Sequence, residues 1–324
     1  MPRSDRVLRT GQQGRRQPAP RPAGHPAGPA DAAARSFGAA LAERFGVSFA
    51  ALNRWLNGRA EPHPRRLETI SKVYRQIIGF PSLSDKELAT IDRKAKALQR
   101  KDLWQLIARK EDLLKELLVE HTFNSTSIEG TTLTQKETEV VILEKGLIPN
   151  KSLQEHLEVT NYAAVLRNVL QKSFREPLTE VLLKVMHRNL LQGVREDAGS
   201  YSKYPRVIRG LDIKLTHPKD IPEEMGQLLR AWNSSPRKSV RDITKFHAQF
   251  ELIHPFGDGN GRLGRLLLVL QCLGRGYPPA VIENARKAEY YEVLEYAQTK
   301  SEGPFTVFLV EEMERTAGII RRYV

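Results

Sequence analysis

The chain has 324 residues, 40 % of them apolar, which is enough for one large domain and one small one. Its net charge of +13 is concentrated at the front: residues 1–80 hold +9 of it and the other 244 residues only +4, so an anionic partner for the front, most simply nucleic acid, is expected. A single cysteine, Cys272, lies in an apolar run and reads as core, which excludes an intrachain disulfide framework and fits a reducing, cytoplasmic setting. No apolar run approaches the roughly 18 residues of a membrane helix, and no hydrophobic segment follows the first arginines as in a secretory signal, so neither a membrane nor export is expected.

Residues 1–30 form a basic tail. Thr10–Ala30 is rich in Pro, Gly, Ala and Arg and has almost nothing to bury, so disorder is expected. Residues 31–80 turn helical. Ala39–Pro62 predicts a short helix, a turn at Gly46, a helix capped by Ser48 that runs to Leu56, and a stop at Asn57-Gly58. Leu41, Phe45, Val47, Leu52, Trp55 and Leu56 would pack the two helices together. This layout resembles the short helix-turn-helix of XRE/Cro-type repressors. The resemblance implies that Phe49–Leu56 lies in the DNA major groove, with Asn53, Arg54 and Arg59, and Arg65 beyond, as DNA contacts. Phe49, Ala50 and Ala51 stand where such helices more often carry polar residues, so a protein-docking module remains the other reading.

Residues 81–120 read as connecting helices, with Ser84 and Glu87 at capping-box spacing. Residues 121–324 read as a second domain, mainly α. Within it Phe123–Glu137 holds Ser125, Glu129 and Gly130: two polar residues four apart on one helix face, then a stop. Taken alone this is an ordinary helix-end turn. Leu182–Gly193 has helical periodicity, and Arg206–Pro222, with Val207, Ile208, Ile213 and Leu215 around Gly210, predicts a short β-hairpin.

The densest chemistry lies at His254–Arg265. Ile243, Phe246, Phe250 and Ile253 mark a buried helix face that ends at His254-Pro255. The loop Gly257-Asp258-Gly259-Asn260-Gly261 follows, then a helix with Leu263, Leu266, Leu267 and Leu270 inward. Glycines let backbone N–H groups converge into an anion nest at the helix start. Arg262 and Arg265 share its first-turn face and oppose the helix dipole at a cost of about 0.3–1 kcal/mol each. Phosphates between them would reverse that sign, since guanidinium forks match phosphate oxygens. Asp258 needs a cation between itself and such phosphates, which Mg2+ would supply, and His254 is placed as general base.

The run from His254 to Arg265 resembles the HPFx[DE]GNGRxxR signature of the Fic family, and flanking features extend the likeness over roughly Leu103–Thr316. These include His247 before the motif, Asn284–Ala297 after it, and the Arg206–Pro218 segment where the family has its target-docking flap. Ser202 departs from the arginine of many relatives. The resemblance implies a helical bundle with a β-hairpin flap that transfers AMP from ATP to a Ser, Thr or Tyr hydroxyl of a target protein. His254 would take the hydroxyl proton. Asp258 would hold Mg2+. Gly257, Gly259, Asn260 and Gly261 would form or cradle the phosphate site, and Arg262 and Arg265 would meet the β- and γ-phosphates. Phe256 would be core, and glycine at 257 favours AMP transfer over phosphate transfer. Beside this signature, Ser125-x-x-x-Glu129-Gly130 resembles the family's inhibitory motif, on a helix at about 122–130. Glu129 would take the γ-phosphate's place on Arg265, and in some relatives this glutamate also positions water to remove AMP.

A second function stays open at this stage: a DNA-binding transcriptional regulator whose Fic domain senses nucleotide. Transfer of another phosphorylated group also stays open, because Tyr290, Tyr291 and Asn284 are as readily core residues as a base pocket. The sequence leaves room for a homodimer.

Overall fold

The computed structural model describes residues 29–63, 66, 70, 73, 79–80, 83–172, 174, 176–206, 214–235 and 238–324; side chains are described from residue 36 onward. The chain divides into two units at Gly79/Phe80.

In the first unit α1 spans Pro29–Arg44 and α2 spans Phe49–Leu56. The Ser48 hydroxyl accepts from the Ala51 N–H at 3.2 Å, so this cap is the one its residue type predicts. Gly46 (φ +63°) makes the turn between the helices and Gly58 (φ +64°) follows the second. Ala42, Phe45 and Leu52 are buried, with Leu41, Val47 and Trp55 packed against them. Leu56, expected inside, is 71 % exposed. It shares the face of Leu52 but is the last residue of this two-turn helix, one turn past the buried cluster. The first helix also starts earlier than expected, at Pro29, while residues 1–28 of the expected tail lie outside the described residues.

The second unit runs α3 (Asp85–Ala97), α4 (Leu103–Arg109), α5 (Glu111–Ile128), α6 (Gln135–Glu139, continuing into one π turn at Val140–Glu144), α7 (Leu153–Leu170), α8 (Glu180–Leu190), α9 (Ile221–Ser234), α10 (Val240–Ile253), α11 (Asn260–Gly274), α12 (Lys287–Thr299) and α13 (Gly303–Arg321). Complete capping boxes open α3, α6, α7 and α10, each a Ser or Thr with an acidic residue three positions on. The segment expected to connect the domains does more than connect. Ala95, Leu103, Trp104, Ile107, Leu113 and Leu117 join the same core as Phe250 and Leu267. The helix expected at about 122–130 is the last part of the longer α5.

At the centre, α11 packs on α10 and α7. The four expected leucines are buried, and so are Leu268, Val269, Cys272 and Leu273, so this helix is covered on every side. Each such leucine contributes roughly 1.5–3 kcal/mol by leaving water. Rigidity at α11 matters because its first turn carries the motif.

The hairpin expected at Arg206–Pro222 has its middle, residues 207–213, outside the described residues. Its described flanks show no strand, and Pro222 lies in the first turn of α9. Among the described residues the β-structure is one antiparallel bridge, Tyr201 to Phe256.

Candidate active site

The motif loop is held from inside. His254 caps α10 in the left-handed region (φ 50°), an uncommon conformation for a residue with a Cβ. Gly259 (φ +73°) opens α11 in the same region, where glycine is free of that strain. Between them the Asn260 side chain clasps one residue from both sides: its Oδ1 accepts from the Phe256 N–H and its Nδ2 donates to the Phe256 carbonyl, each at 2.9 Å. His187 of α8 supports the loop from below. Its Nε2–H donates to the Asp258 carbonyl at 2.9 Å, its Nδ1 accepts from the Gly199 N–H at 2.8 Å, and its ring stacks on Phe256 with centroids 3.7 Å apart. This pattern requires a neutral imidazole, and burial lowers its pKa to about 4.

Helix geometry leaves the first N–H groups of α11 without intrahelical acceptors, and Arg262 and Arg265 stand beside them. Arg265 is 2 % exposed. Its Nε donates to the Ser125 hydroxyl at 2.7 Å, and its Nη2 donates to the Ser125 carbonyl at 3.0 Å and to Glu129 Oε1 at 2.6 Å. Its Nη1 is buried with no hydrogen-bond partner among the described residues. Glu129 caps α5, and Gly130 (φ +108°) turns the chain away. Burial alone would raise the Glu129 pKa. The charge and hydrogen bond of Arg265 outweigh it and hold the carboxyl below its ordinary value, while 29 % of the side chain still meets solvent. A Cβ at Gly261 would stand 2.4 Å from Glu129 Oε1, so glycine there lets the carboxylate approach the helix start.

Arg262 lies on the other side, 4 % exposed, 3.2 Å from Glu158 Oε2 and 3.3 Å from Asp258 Oδ2. Asp258 accepts from the Gly259 N–H at 2.6 Å, and its side chain remains 47 % exposed at the loop surface. His254 is 20 % exposed, and its Nδ1 lies 3.3 Å from the Glu251 carbonyl. That contact fits the Nδ1–H tautomer and leaves Nε2 a free lone pair. Burial, helped by the nearby Arg206 charge, lowers its pKa to about 4, so the ring is a base at neutral pH. A pocket of about 250 Å³ joins these groups, lined by Glu129, Glu251, His254, Gly261 and Arg265 and walled by Tyr290, Tyr291 and Leu294 of α12.

A sequence model of the Fic/DOC family matches residues 177–272, and a helix-turn-helix model matches residues 39–76. Residues 177–272 therefore carry a Fic/DOC domain. The protein adenylyltransferase Fic of Culex quinquefasciatus is 29 % identical over 262 residues, 79 % of this chain and 52 % of that protein. The protein adenylyltransferase fic-1 of Caenorhabditis briggsae is 28 % identical over 219 residues, 65 % of this chain and 42 % of that protein. The chain thus spans about half the length of the curated relatives it matches. Among solved structures, a Fic-domain signalling protein from Bacteroides thetaiotaomicron superimposes with a TM-score of 0.59 at 23 % identity, covering 73 % of this chain and 97 % of that one. A Fic family protein from Desulfovibrio desulfuricans gives 0.60 at 23 % identity, covering 75 % of each.

The Fic motif places its expected residues unevenly. His254, Gly261 and Arg265 meet Glu129 around one pocket, with Ser125 behind Arg265. Gly257 is exposed on a different side, where a Cβ would lie 3.0 Å from Asp197 Oδ2. Asn260, expected to cradle phosphate, has both polar atoms on the Phe256 backbone and shapes the loop instead. Phe256 is core, as its residue type suggests. Tyr290 is both core and wall, 1 % exposed with its hydroxyl 2.8 Å from His247 Nε2. Asn284 donates its backbone N–H to Asn124 Oδ1 and does not line the pocket. In the helix-turn-helix unit Asn53, Arg54 and Arg59 are exposed, with Asn53 Oδ1 accepting from Asn57, and Arg65 lies outside the described residues. Sequence reasoning missed His187, Glu158 and Glu251. The signal available for His187 was a histidine on the inward face of a periodic helix; for the two glutamates there was none.

Proposed function

We propose that this protein is an autoinhibited adenylyltransferase that moves AMP from ATP to a hydroxyl of a target protein. The observation that carries the reading is Arg265: a buried guanidinium at a helix N-terminus, held by a glutamate from another helix, with one N–H group left unpaired. Buried unpaired donors are rare, and an anionic ligand oxygen would complete this one. That relatives are named protein adenylyltransferase supports the same reading.

In this reading the nucleotide's phosphates lie along the first turn of α11, and Arg262 and Arg265 balance charge that the helix dipole alone would not. His254 Nε2 takes the proton of the target hydroxyl. The freed oxygen attacks the α-phosphorus, the bond to the β-phosphate oxygen breaks, and pyrophosphate leaves. The donor set suits Mg2+ held jointly with phosphates: Asp258 offers a solvent-facing carboxylate, and no group of three or more metal-binding side chains exists among the described residues. Bound there, Mg2+ would neutralise charge on the phosphates.

Glu129 is the brake. It holds the nitrogen that a γ-phosphate would need, so ATP must either displace it or bind out of line for attack. The same carboxylate could orient water for AMP removal. Two labels test the reading. With the Glu129→Gly form, α-labelled ATP is expected to mark protein and γ-labelled ATP is not. Transfer of the γ-label would mean a kinase, and transfer of neither would reject the reading.

The helix-turn-helix supports a second role as a DNA-binding regulator, favoured by the helix-turn-helix match and the exposed Arg54 and Arg59. Retardation of promoter DNA, compared with and without ATP, checks whether the Fic unit senses nucleotide for it.

A further inference from the structure

Glu251 is a buried carboxylate of the pocket that the transfer scheme leaves unused. It lies on α10, three positions before His254, and is 5 % exposed. Its Oε2 is 3.9 Å from His254 Nδ1, and its Oε1 is 3.9 Å from His247 Nε2. His247 Nε2 lies 2.8 Å from the Tyr290 hydroxyl, and Glu251 Oε1 has no hydrogen-bond partner among the described residues.

The facing helix has a gap for this carboxyl. A Cβ on Gly264 would lie 2.2 Å from Glu251 Oε1 and 2.9 Å from the His247 ring. Any larger residue at 264 would evict the carboxyl, so α10 and α11 are matched in shape around a group that folding by itself disfavours.

We propose that Glu251 is a positioning residue for His254: its carboxyl, seated in the Gly264 gap beside the Nδ1 edge of the ring, holds the imidazole with Nε2 toward the acceptor hydroxyl and favours its protonated form during transfer. This rests on the adenylyltransferase reading. The proton of the hydroxyl ends on Nε2; Nδ1–H then faces the Glu251 carbonyl and carboxyl together. Glu251 itself is faced by His247 and His254 from α10, Arg265 from α11, Glu129 from α5, and Tyr290 and Tyr291 from α12. Burial, opposed by Arg265 and assisted by Glu129, pushes its carboxyl up to about 8. Ionised Glu251 therefore attracts the imidazolium mainly at alkaline pH, and transfer should rise with pH through that titration.

The test uses the full chain carrying Glu129→Gly. Adding Glu251→Gln is expected to lower kcat about tenfold, leave KM for ATP within about twofold, and remove the alkaline rise. The pair Glu251→Ala with Gly264→Ala puts a methyl back into the gap, so it should be more stable than Glu251→Ala alone yet stay as slow. A Glu251→Gln form with the parent's kcat and pH profile, or a double variant that regains parental kcat, overturns the proposal. NMR titration of the His254 ring needs no turnover: its chemical shift should follow an inflection near pH 8, where Glu251 ionises, that Glu251→Gln removes, and superimposable curves overturn the proposal whatever the transfer assay gives. A lost inflection in a protein that transfers nothing sinks the adenylyltransferase reading and leaves the Glu251–His254 coupling standing.

Discussion

The two units place their polar side chains in opposite ways. In the second unit Arg262, Arg265, His187, His247 and Glu251 are withdrawn from solvent and lie against named partners. In the first unit Asn53 and Arg54 on the second helix and Arg59 just past it are exposed, and the Asn53 side chain bonds its neighbour Asn57. Burying a charge is costly unless it is compensated, so a buried charge has few explanations and its partners name them. An exposed arginine costs nothing and excludes little. One unit can therefore be read as chemistry, the other only as an electrostatic surface.

The contrast predicts a graded set of effects. The largest belongs to His254→Ala, which should lower AMP transfer by about 10²–10⁴-fold while ATP binding, followed by calorimetry, persists. Retained transfer would move the base elsewhere. Next is His187→Ala, which removes two hydrogen bonds and a stacked ring from beneath the loop. It should cost roughly 2–4 kcal/mol in chemical denaturation, and a loss of only a few tenths would mean that the loop stands without it. The third is pH. His121, His187, His247 and His254 are all held below the ordinary histidine value by burial, at about 3 to 4. The unfolded chain takes up those protons near pH 6.5 and the folded one does not, so stability should be full above that pH and fall as pH drops toward 4. Glu251 acts in the reverse sense: its raised pKa favours the folded state most below about pH 4.5, and that contribution fades as pH rises toward 8. A Tm that stays flat from pH 7 to 4 would contradict both the burial and its cause. Smallest is Arg54→Ala, expected to weaken DNA binding severalfold and to reduce the salt slope by about one, with no change in AMP transfer.

How far the sequence carried this account depended on distance along the chain. The loop from His254 to Arg265 was legible because phosphate chemistry asks for several residue types within a few positions. The Ser48 and Ser84 caps were legible for the same local reason. Arg265 and Glu129 lie 136 positions apart, and in the sequence only the family resemblance joins them. Glu158 and His187 reach the loop from α7 and α8; nothing near Glu158 marks it, and His187 is marked only as a histidine on the inward face of a periodic helix. The all-round burial of α11 was also missed, since leucine spacing predicted a single inward face. Asn260 was assigned to the ligand by the family resemblance, whereas its two polar atoms bond the Phe256 backbone.

The central claim is a competition between one carboxylate and one phosphate for Arg265. The direct measurement is protein labelling from α-labelled ATP, with the parent chain and its Glu129→Gly form run side by side at equal concentration. Removal of the carboxylate should raise labelling by at least ~10-fold, as expected when a misaligned phosphate regains its line of attack. Equal labelling in the two, with ATP bound equally well by both, would contradict the account.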